Sequence, residues 1–222
     1  MKRLLVVVFV SAQSLPAATL QEVFTNIYTT RFWMFGGNRE SVSGPGSTMK
    51  ETVIIREELP KILKKYDIQF FVDAPCGDFN WMKAVDLSSV EQYLGLDVVI
   101  PLIDGNKQKY TSEKVSFAVC DITSDPLPKA DLFLCRDCLQ HLSDKQVMSF
   151  VTNLKKSGVR YLLATSYQKN LSNSDIKAGQ CRSANLELAP FNFPQPLEVI
   201  FERWNDKYVC LWLVADLPDF TL

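Results

Sequence analysis

The sequence predicts an α/β fold built on a mostly parallel β-sheet. Short apolar runs alternate with segments of helical periodicity, which is the pattern of strands joined by helical crossovers. Three successive apolar runs are also followed by an aspartate, at Asp73, Asp97 and Asp121. Because the ligand of such a sheet lies at the carboxyl ends of its strands, these aspartates mark that edge as a candidate site.

The composition suits one domain with a substantial core. The chain has 222 residues, of which 47% are hydrophobic, too many for a disordered protein. It contains 24 Lys and Arg residues against 25 Asp and Glu residues. The chain therefore lacks the surplus of basic residues that would indicate nucleic-acid binding. We therefore expect one domain over residues 19–222, with no nucleic-acid partner and no stable membrane span. The composition predicts nothing about its oligomeric state.

The first 18 residues resemble a signal peptide or leader. Residues 1–3 are basic at two positions, residues 4–10 are apolar, and residues 11–18 are mostly small with one proline. The apolar stretch is too short for an ordinary membrane span. A buried or amphipathic N-terminal segment and a misassigned start are the alternatives.

The next segment, residues 19–49, predicts a helix and a lid-like loop. Residues 20–30 have a helical pattern, whereas residues 31–49 are aromatic and then rich in Gly and Ser. This loop is expected to cover the site, and a plain connecting loop is the alternative. A second helix is predicted from Thr48, with an apolar face and with Pro60 inside it.

The remaining elements alternate between strand and helix. Strands are predicted at residues 69–73, 93–97, 116–119, 130–135 and 161–165, and helices near residues 80–85, 99–109 and 143–156. Residues 171–196 form a long polar and proline-rich excursion, expected on the substrate side. Residues 197–203 and 208–215 predict two strands paired as a hairpin, which adds an antiparallel strand to the sheet.

The loop after the first of these strands is the most informative stretch of the chain. It reads Asp73-Ala74-Pro75-Cys76-Gly77-Asp78-Phe79-Asn80-Trp81-Met82. A dinucleotide-binding G-x-G-x-x-G loop needs three glycines, and only Gly77 is present here. Asp97 ends the next strand 20 residues after Gly77, where a carboxylate would bind a pair of ribose hydroxyls. An ordinary strand-to-helix turn is the alternative.

This loop resembles the first motif of class I S-adenosylmethionine-dependent methyltransferases. More narrowly, it is similar to a little-characterised group with a D-A-P-C-G-D-x-x-W-M signature, although Phe79 replaces the family's last glycine. The resemblance covers roughly residues 48–216. It implies a Rossmann-like sheet of seven strands, mostly parallel with an antiparallel last strand, and helices on both faces. It also implies S-adenosyl-L-methionine as the cofactor.

The same resemblance implies which residues contact the cofactor. They are Asp73, Ala74, Cys76, Gly77, Asp78, Trp81, Asp97, Asp121, Ile122 and Arg136. The loop at residues 73–79 would hold the methionine end, and Asp97 would accept from both ribose hydroxyls. Asp121, with the Ile122 backbone N–H, would bind the adenine edge. The alternatives are structural: loop orientation for Asp73, a strand-end cap for Asp97 and an Asx turn for Asp121.

The segment after the fourth sheet strand carries the candidate catalytic residues, Asp137 and His141. They are four residues apart, so one helical turn would place them on the same face. A carboxylate there would orient the imidazole, which suits a general base that takes a proton from a hydroxyl. Asp137 alone as the base and a purely structural His141 are the alternatives. The resemblance implies that an N-P-P-Y sequence after this strand would indicate a nitrogen acceptor, and its absence here modestly favours an oxygen acceptor.

We therefore expect methylation of a small molecule or carbohydrate, and two other functions remain as alternatives. A non-catalytic cofactor-binding or regulatory module and an NAD-linked oxidoreductase are the competing functions. Phe191 and Phe193 are candidates for stacking on a ring substrate, with core packing as the alternative. The cofactor favours a cytosolic location, whereas the leader leaves the secretory pathway open.

The six cysteines predict no metal site. Their spacing is irregular, which is typical of small buried hydrophobic residues. Cys135 and Cys138 have the spacing of a redox pair or of half a zinc site. No second pair and no second histidine completes a zinc site of the usual spacing.

Overall fold

The computed structural model describes residues 18–34, 39–202 and 206–221. The strands are β1 (Phe70–Asp73), β2 (Gln92–Asp97), β3 (Val115–Val119), β4 (Leu132–Cys135), β5 (Tyr161–Ser166), β6 (Glu198–Phe201) and β7 (Tyr208–Leu213). They form one sheet in the order β3-β2-β1-β4-β5-β7-β6. Every pair from β3 to β5 is parallel, and β7 is antiparallel to both of its neighbours. The predicted fold class is confirmed.

Helices cover both faces of this sheet. They are α1 (Leu20–Thr29), α2 (Val53–Lys65), α3 (Ile100–Tyr110) and α4 (Asp144–Ser157). Successive residues of a strand face opposite sides. Accordingly Phe71 of β1 belongs to one core cluster with Leu59 of α2 and Ile103 of α3. Its neighbour Val72 belongs to the other cluster, with Phe150 of α4 and Leu20 of α1.

Two predicted helices differ from the structure. The helix predicted from Thr48 begins at Val53, because the Thr48 hydroxyl donates to the Pro45 carbonyl at 2.9 Å and closes a preceding turn. The helix predicted near residues 80–85 is a single 3₁₀ turn, Met82–Ala84. The polypeptide therefore passes from β1 to β2 without a full crossover helix.

The excursion predicted at residues 171–196 lies within a segment, residues 167–197, that has neither helix nor strand. Side-chain amides hold it together instead: Asn185 Nδ2 donates to the Asn170 carbonyl at 2.9 Å, and Asn173 Nδ2 donates to the Asn185 carbonyl at 2.8 Å. The predicted leader lies outside the described residues, apart from its last residue. In the described part of the chain, no helix is long and apolar enough to cross a membrane.

Candidate functional site

A cavity opens at the carboxyl ends of β1 to β4. It encloses about 1040 Å³ of space between atoms, with its open mouth included. Asp73 and Asp97 end β1 and β2. Asp121 follows β3 after Cys120, Arg136 directly follows β4, and all four aspartate and arginine side chains line the wall. α1 and the loop at residues 42–47 supply further wall residues. The carboxyl ends of the strands are where open α/β sheets bind small ligands and cofactors.

The cavity brings together all the predicted site residues except Ala74 and Asp78. Those that line it are Asp73, Cys76, Gly77, Trp81, Asp97, Asp121, Ile122, Arg136, Asp137 and His141. Ala74 is fully buried in the core beneath the site. The strand ends and the family resemblance together therefore located this edge of the sheet.

Asp78 anchors the loop that covers the cavity. Its carboxylate accepts from the Ser41 hydroxyl and from the Val42 backbone N–H, both at 2.9 Å. The Asp78 backbone N–H in turn donates to Ser43 Oγ at 2.9 Å. Since Val42 and Ser43 line the cavity, Asp78 shapes the wall through them.

The loop after β1 contains two residues in the left-handed backbone region. Gly77 has φ +53°, and a Cβ there would lie 2.4 Å from Ser43 Oγ, so the loop requires glycine. Phe79 has φ +57°, which costs a non-glycine residue about 1 kcal/mol. Its ring lies 5.3 Å from that of Tyr93 and 5.2 Å from that of Phe117, and this packing offsets the strain. Phe79, which stands where the resembled motif has a glycine, does not line the cavity.

Asp97 is fixed between the β1 loop and the start of α3. Its two oxygens accept from the Gly77 N–H at 3.2 Å and from the Val99 N–H at 3.0 Å. Burial raises the pKa of the carboxyl to about 6, although these N–H groups lower it. Backbone N–H groups therefore hold the Asp97 carboxylate in one orientation at the cavity wall.

The other two strand-end aspartates are also hydrogen-bonded. Asp73 accepts from the Tyr93 hydroxyl at 2.7 Å, and burial raises the pKa of its carboxyl to about 7 despite that bond. Asp121 Oδ1 accepts from the Thr123 N–H at 2.9 Å and from the Thr123 hydroxyl at 2.7 Å. This is the Asx turn that was the structural alternative for Asp121, formed while Asp121 still lines the cavity.

A buried cluster of four charges lies after β4. Arg136 Nη2 bonds to Glu202 at 3.0 Å, and Arg136 Nη1 lies 3.1 Å from Asp137 Oδ2. Lys207 Nζ lies 2.8 Å from Asp137 Oδ2 and 3.2 Å from Glu202. Burial raises the pKa of Asp137, but Arg136 and Lys207 lower it further, to about 2. Asp137 Oδ1 has no hydrogen-bond partner among the described residues.

Sequence reasoning missed Glu202 and Lys207. The only available signal was their position: Glu202 directly follows the apolar strand β6, and Lys207 directly precedes the apolar strand β7. Both side chains are nearly inaccessible, at 0% and 2% exposure, so each needs the opposite charges it contacts. They tie the β6–β7 hairpin to Asp137.

The predicted helical face shared by Asp137 and His141 is wrong. Asp137 has φ +53°, and a 3₁₀ turn spans only Leu139–His141. A left-handed residue cannot continue a right-handed helix, so the two side chains are not stacked one turn apart. In the described residues, the hydrogen-bond partner of the imidazole is Gln180 rather than Asp137.

His141 is oriented by the excursion after β5. Its Nδ1 lies 2.8 Å from the Gln180 carbonyl oxygen, and its ring centroid lies 4.9 Å from that of Trp33. A carbonyl only accepts, so Nδ1 carries the proton and Nε2 keeps its lone pair. Burial lowers the pKa of the imidazole, and the Gln180 bond and Asp137 offset only part of this effect. His141 is therefore neutral at pH 7 and able to accept a proton.

Gly179 holds Gln180 in place. Its N–H donates to the His141 carbonyl at 2.9 Å. It has φ +85°, and a Cβ there would lie 2.8 Å from Val23 Cγ1 of α1. A glycine followed by a polar residue was the only sequence signal for this contact.

Phe191 and Phe193 are core residues. They are 0% and 4% exposed, do not line the cavity, and Phe193 packs edge-on against Trp212 at 5.3 Å. Core packing, which the sequence left open beside stacking on a substrate, is the role of both rings, and the excursion contacts the site at Gln180 instead. Within the described ranges, no cluster of three or more His, Cys, Asp or Glu side chains is arranged to hold a metal ion.

The fold has many counterparts among solved structures. The structure of human N-acetylserotonin methyltransferase in complex with SAM matches with a TM-score of 0.59 and 15% identity, over 92% of this chain and 61% of that chain. The pyocyanin biosynthetic protein PhzM matches with a TM-score of 0.54 and 15% identity, over 73% of this chain and 55% of that chain. The fold is that of the class I methyltransferases.

A third match has a different substrate in its name. Magnesium protoporphyrin IX methyltransferase from Synechocystis PCC 6803, with bound SAH, gives a TM-score of 0.51 and 12% identity, over 69% of this chain and 74% of that chain. No protein-family model and no curated protein matches the sequence. Identities this low establish a shared fold, so the function must be argued from the site.

Proposed function

We propose that this protein is an S-adenosylmethionine-dependent methyltransferase that methylates a hydroxyl group of a small molecule or sugar. The observation that supports it most is the single cavity wall that combines Asp97, the Gly77 loop and a neutral His141. Asp97 and the loop suit a nucleoside cofactor, and His141 suits proton removal from an acceptor. Methylated product from a panel of hydroxyl-bearing compounds, made with labelled S-adenosylmethionine, would support the proposal. No product from any acceptor would favour a non-catalytic binding module.

The residues present fit the cofactor. Asp97 would accept hydrogen bonds from the two ribose hydroxyls, and the apolar side chains of Val99, Leu102 and Ile122 would flank the adenine. The Gly77 backbone lines the cavity beside Ser43 and would lie against the methionine end. When bound, the cofactor supplies a methyl group on a positively charged sulphur, which is already activated for transfer.

The catalytic task of the protein is then to position the acceptor and to take up one proton. Positioning supplies most of the acceleration in a reaction between two bound molecules. His141 Nε2 takes the proton of the acceptor hydroxyl, and the Gln180 carbonyl stabilises the imidazolium through Nδ1–H. Asp137, ionised by Arg136 and Lys207, adds a negative charge that favours the same imidazolium.

Binding of S-adenosylhomocysteine should weaken in acid. The pKa of Asp97 is about 6 in the ligand-free protein, and the ionised carboxylate is the form that accepts two ribose hydroxyls. Below pH 6 a proton must be released on binding, so we expect affinity about tenfold lower at pH 5 than at pH 7. Calorimetric titration in buffers of different ionisation enthalpy measures both the affinity and the released proton.

Two variants show whether the acid transition in binding comes from Asp97 or from Asp73. Asp73→Asn removes the carboxyl whose pKa is about 7, and the acid transition near pH 6 should remain. Asp97→Asn should bind weakly at both pH values and lose the transition. An acid transition that persists in Asp97→Asn would assign it to another group.

Gly179→Ala should slow methyl transfer without weakening cofactor binding. The new Cβ would lie 2.8 Å from Val23 Cγ1 at a φ of +85°, so residue 179 must move and carry the Gln180 carbonyl away from His141. Loss of this hydrogen bond to the forming imidazolium predicts about a tenfold lower kcat. His141 is the only histidine, so its side-chain ¹⁵N shifts report the tautomer without assignment by mutation.

Gly105→Ala is the matched control. A Cβ at Gly105, within α3, would meet nothing within 4 Å. We expect this variant to keep wild-type kcat and the Nδ1–H tautomer. If Gly179→Ala also kept both, Gln180 would not be what orients His141.

A further inference from the structure

The cavity has an aromatic wall, which we define as Phe24, Tyr28, Trp33 and His141. Phe24 and Tyr28 are four residues apart in α1, so they lie on one face of that helix. The ring centroids of Phe24 and Trp33 are 5.9 Å apart, and those of Trp33 and His141 are 4.9 Å apart. The aromatic wall therefore runs from α1 to the imidazole. None of its members is a residue that the proposed function assigns to the cofactor.

The rings of the aromatic wall keep part of their surface free. The side chains from α1 and the segment after it are only half-buried, although they line the cavity. Cys138 and Leu142, on either side of His141 in the chain, line the cavity as well and add apolar surface. Aromatic surface of this kind binds a flat ring by offset stacking or by edge-to-face contact.

The charged residue that precedes this turn has its contacts inside the protein. Asp137 Oδ2 contacts Arg136 and Lys207, and Asp137 Oδ1 has almost no accessible surface. A sugar ring held against the aromatic wall would leave hydroxyls without partners, and each of them would weaken binding. A flat ring needs fewer polar partners, and the Tyr28 hydroxyl and the Trp33 N–H can donate to an oxygen on it.

The acidity of the acceptor hydroxyl separates the same two classes of molecule. Burial lowers the pKa of His141, so this imidazole is a weak base. A phenol hydroxyl has a pKa of about 10, as tyrosine has. An alkyl hydroxyl is about as weak an acid as water, with a pKa of about 16. The difference is a factor of about 10⁶ in the proton-transfer equilibrium, so a weak base is matched to a phenol.

We propose, building on the proposed methyl transfer, that the acceptor is a hydroxylated aromatic ring that stacks on Trp33 and Phe24. Its hydroxyl gives the proton to His141 Nε2, the ring nitrogen that does not contact Gln180. The oxygen then forms the new C–O bond, while the S–CH₃ bond breaks with its electron pair left on sulphur. The products are an aryl methyl ether and S-adenosylhomocysteine.

The chemical type of the methylated product tests this assignment. A small-molecule extract of the cells that make the protein is incubated with the full chain and S-adenosylmethionine that carries a ¹³C methyl group. The NMR shift of the new methyl group and its coupling to neighbouring carbons distinguish an aryl ether from an alkyl ether and from an N-methyl group. We expect an aryl methyl ether as the main product. An alkyl methyl ether would overturn this inference and leave the proposed function standing, whereas an N-methyl product or no product would contradict the proposed function itself.

Trp33→Leu tests the aromatic wall with the same extract. Loss of stacking should lower the rate of aryl ether formation about tenfold in dilute extract and less in concentrated extract, because acceptor binding is weakened. Phe32→Leu is the matched control, since this neighbouring ring is 66% exposed and does not line the cavity. Both variants should bind S-adenosylhomocysteine like the wild type, which also shows that they are folded. An unchanged rate in Trp33→Leu at every dilution would remove Trp33 from the acceptor site and overturn the inference.

Discussion

Replacing Asp97 by alanine is expected to weaken S-adenosylhomocysteine binding by at least about 100-fold. The variant removes the carboxylate that would accept from both ribose hydroxyls, and hydrogen bonds to a charged group contribute roughly 1.5–3 kcal/mol each. Asp97 ends β2 beside the Gly77 N–H and lines the cavity. Isothermal titration calorimetry at pH 7.5 measures the loss.

Two control variants test whether the loss of affinity is specific to the Asp97 carboxylate. Asp104→Ala removes an exposed carboxylate from α3, in the same region of the fold, and should bind like the wild type. Asp97→Asn keeps one acceptor oxygen, so its affinity should lie between those of Asp97→Ala and the wild type. Far-UV circular dichroism must show that Asp97→Ala remains folded, because it also removes partners of the Gly77 and Val99 N–H groups. Unchanged affinity in a folded Asp97→Ala protein would remove Asp97 from the cofactor site.

Replacing His141 by alanine is expected to slow methyl transfer by at least about 100-fold while cofactor affinity stays unchanged. General base catalysis contributes about 10²–10⁴-fold, and the low end applies because the sulphonium already activates the methyl group for transfer. The acid limb of kcat against pH should also disappear. In the wild type this limb should lie below the ordinary pKa of histidine, since burial lowers the pKa of His141 and the neutral form is the active one.

Imidazole tests whether the missing group is a base. His141→Ala leaves a space beside Trp33, the ring that lies 4.9 Å from the imidazole in the wild type. Added imidazole should restore part of the rate in this variant, whereas it should not do so in Gly179→Ala, which keeps its histidine. A wild-type rate in His141→Ala would leave Asp137 as the remaining candidate base.

The sequence predicted the sheet and its ligand-binding edge because both depend on local signals. Apolar runs that end in Asp73 and Asp97 set the strand ends, and parallel strands bring their carboxyl ends together. The antiparallel β7 followed from two apolar runs close enough to pair. These features need only residues near one another in the chain.

The features that sequence reasoning missed are contacts between distant segments. Gln180 reaches His141 across 39 residues, and Lys207 reaches Asp137 across 70. Nothing near Asp137 in sequence indicates its left-handed backbone, which removed the expected helical turn. The sequence could not decide the role of Phe193, because an aromatic and proline-rich segment has the same pattern whether it packs on a ligand or on Trp212.

Calorimetric titration of the wild-type protein with S-adenosylhomocysteine, with NADH as the control ligand, tests the central claim most directly. The account predicts one site with micromolar affinity for S-adenosylhomocysteine and no heat of binding with NADH, because the β1 loop has one glycine where a dinucleotide loop has three. Binding of NADH, or of neither ligand by a folded protein, would contradict the assignment of this cavity to S-adenosylmethionine.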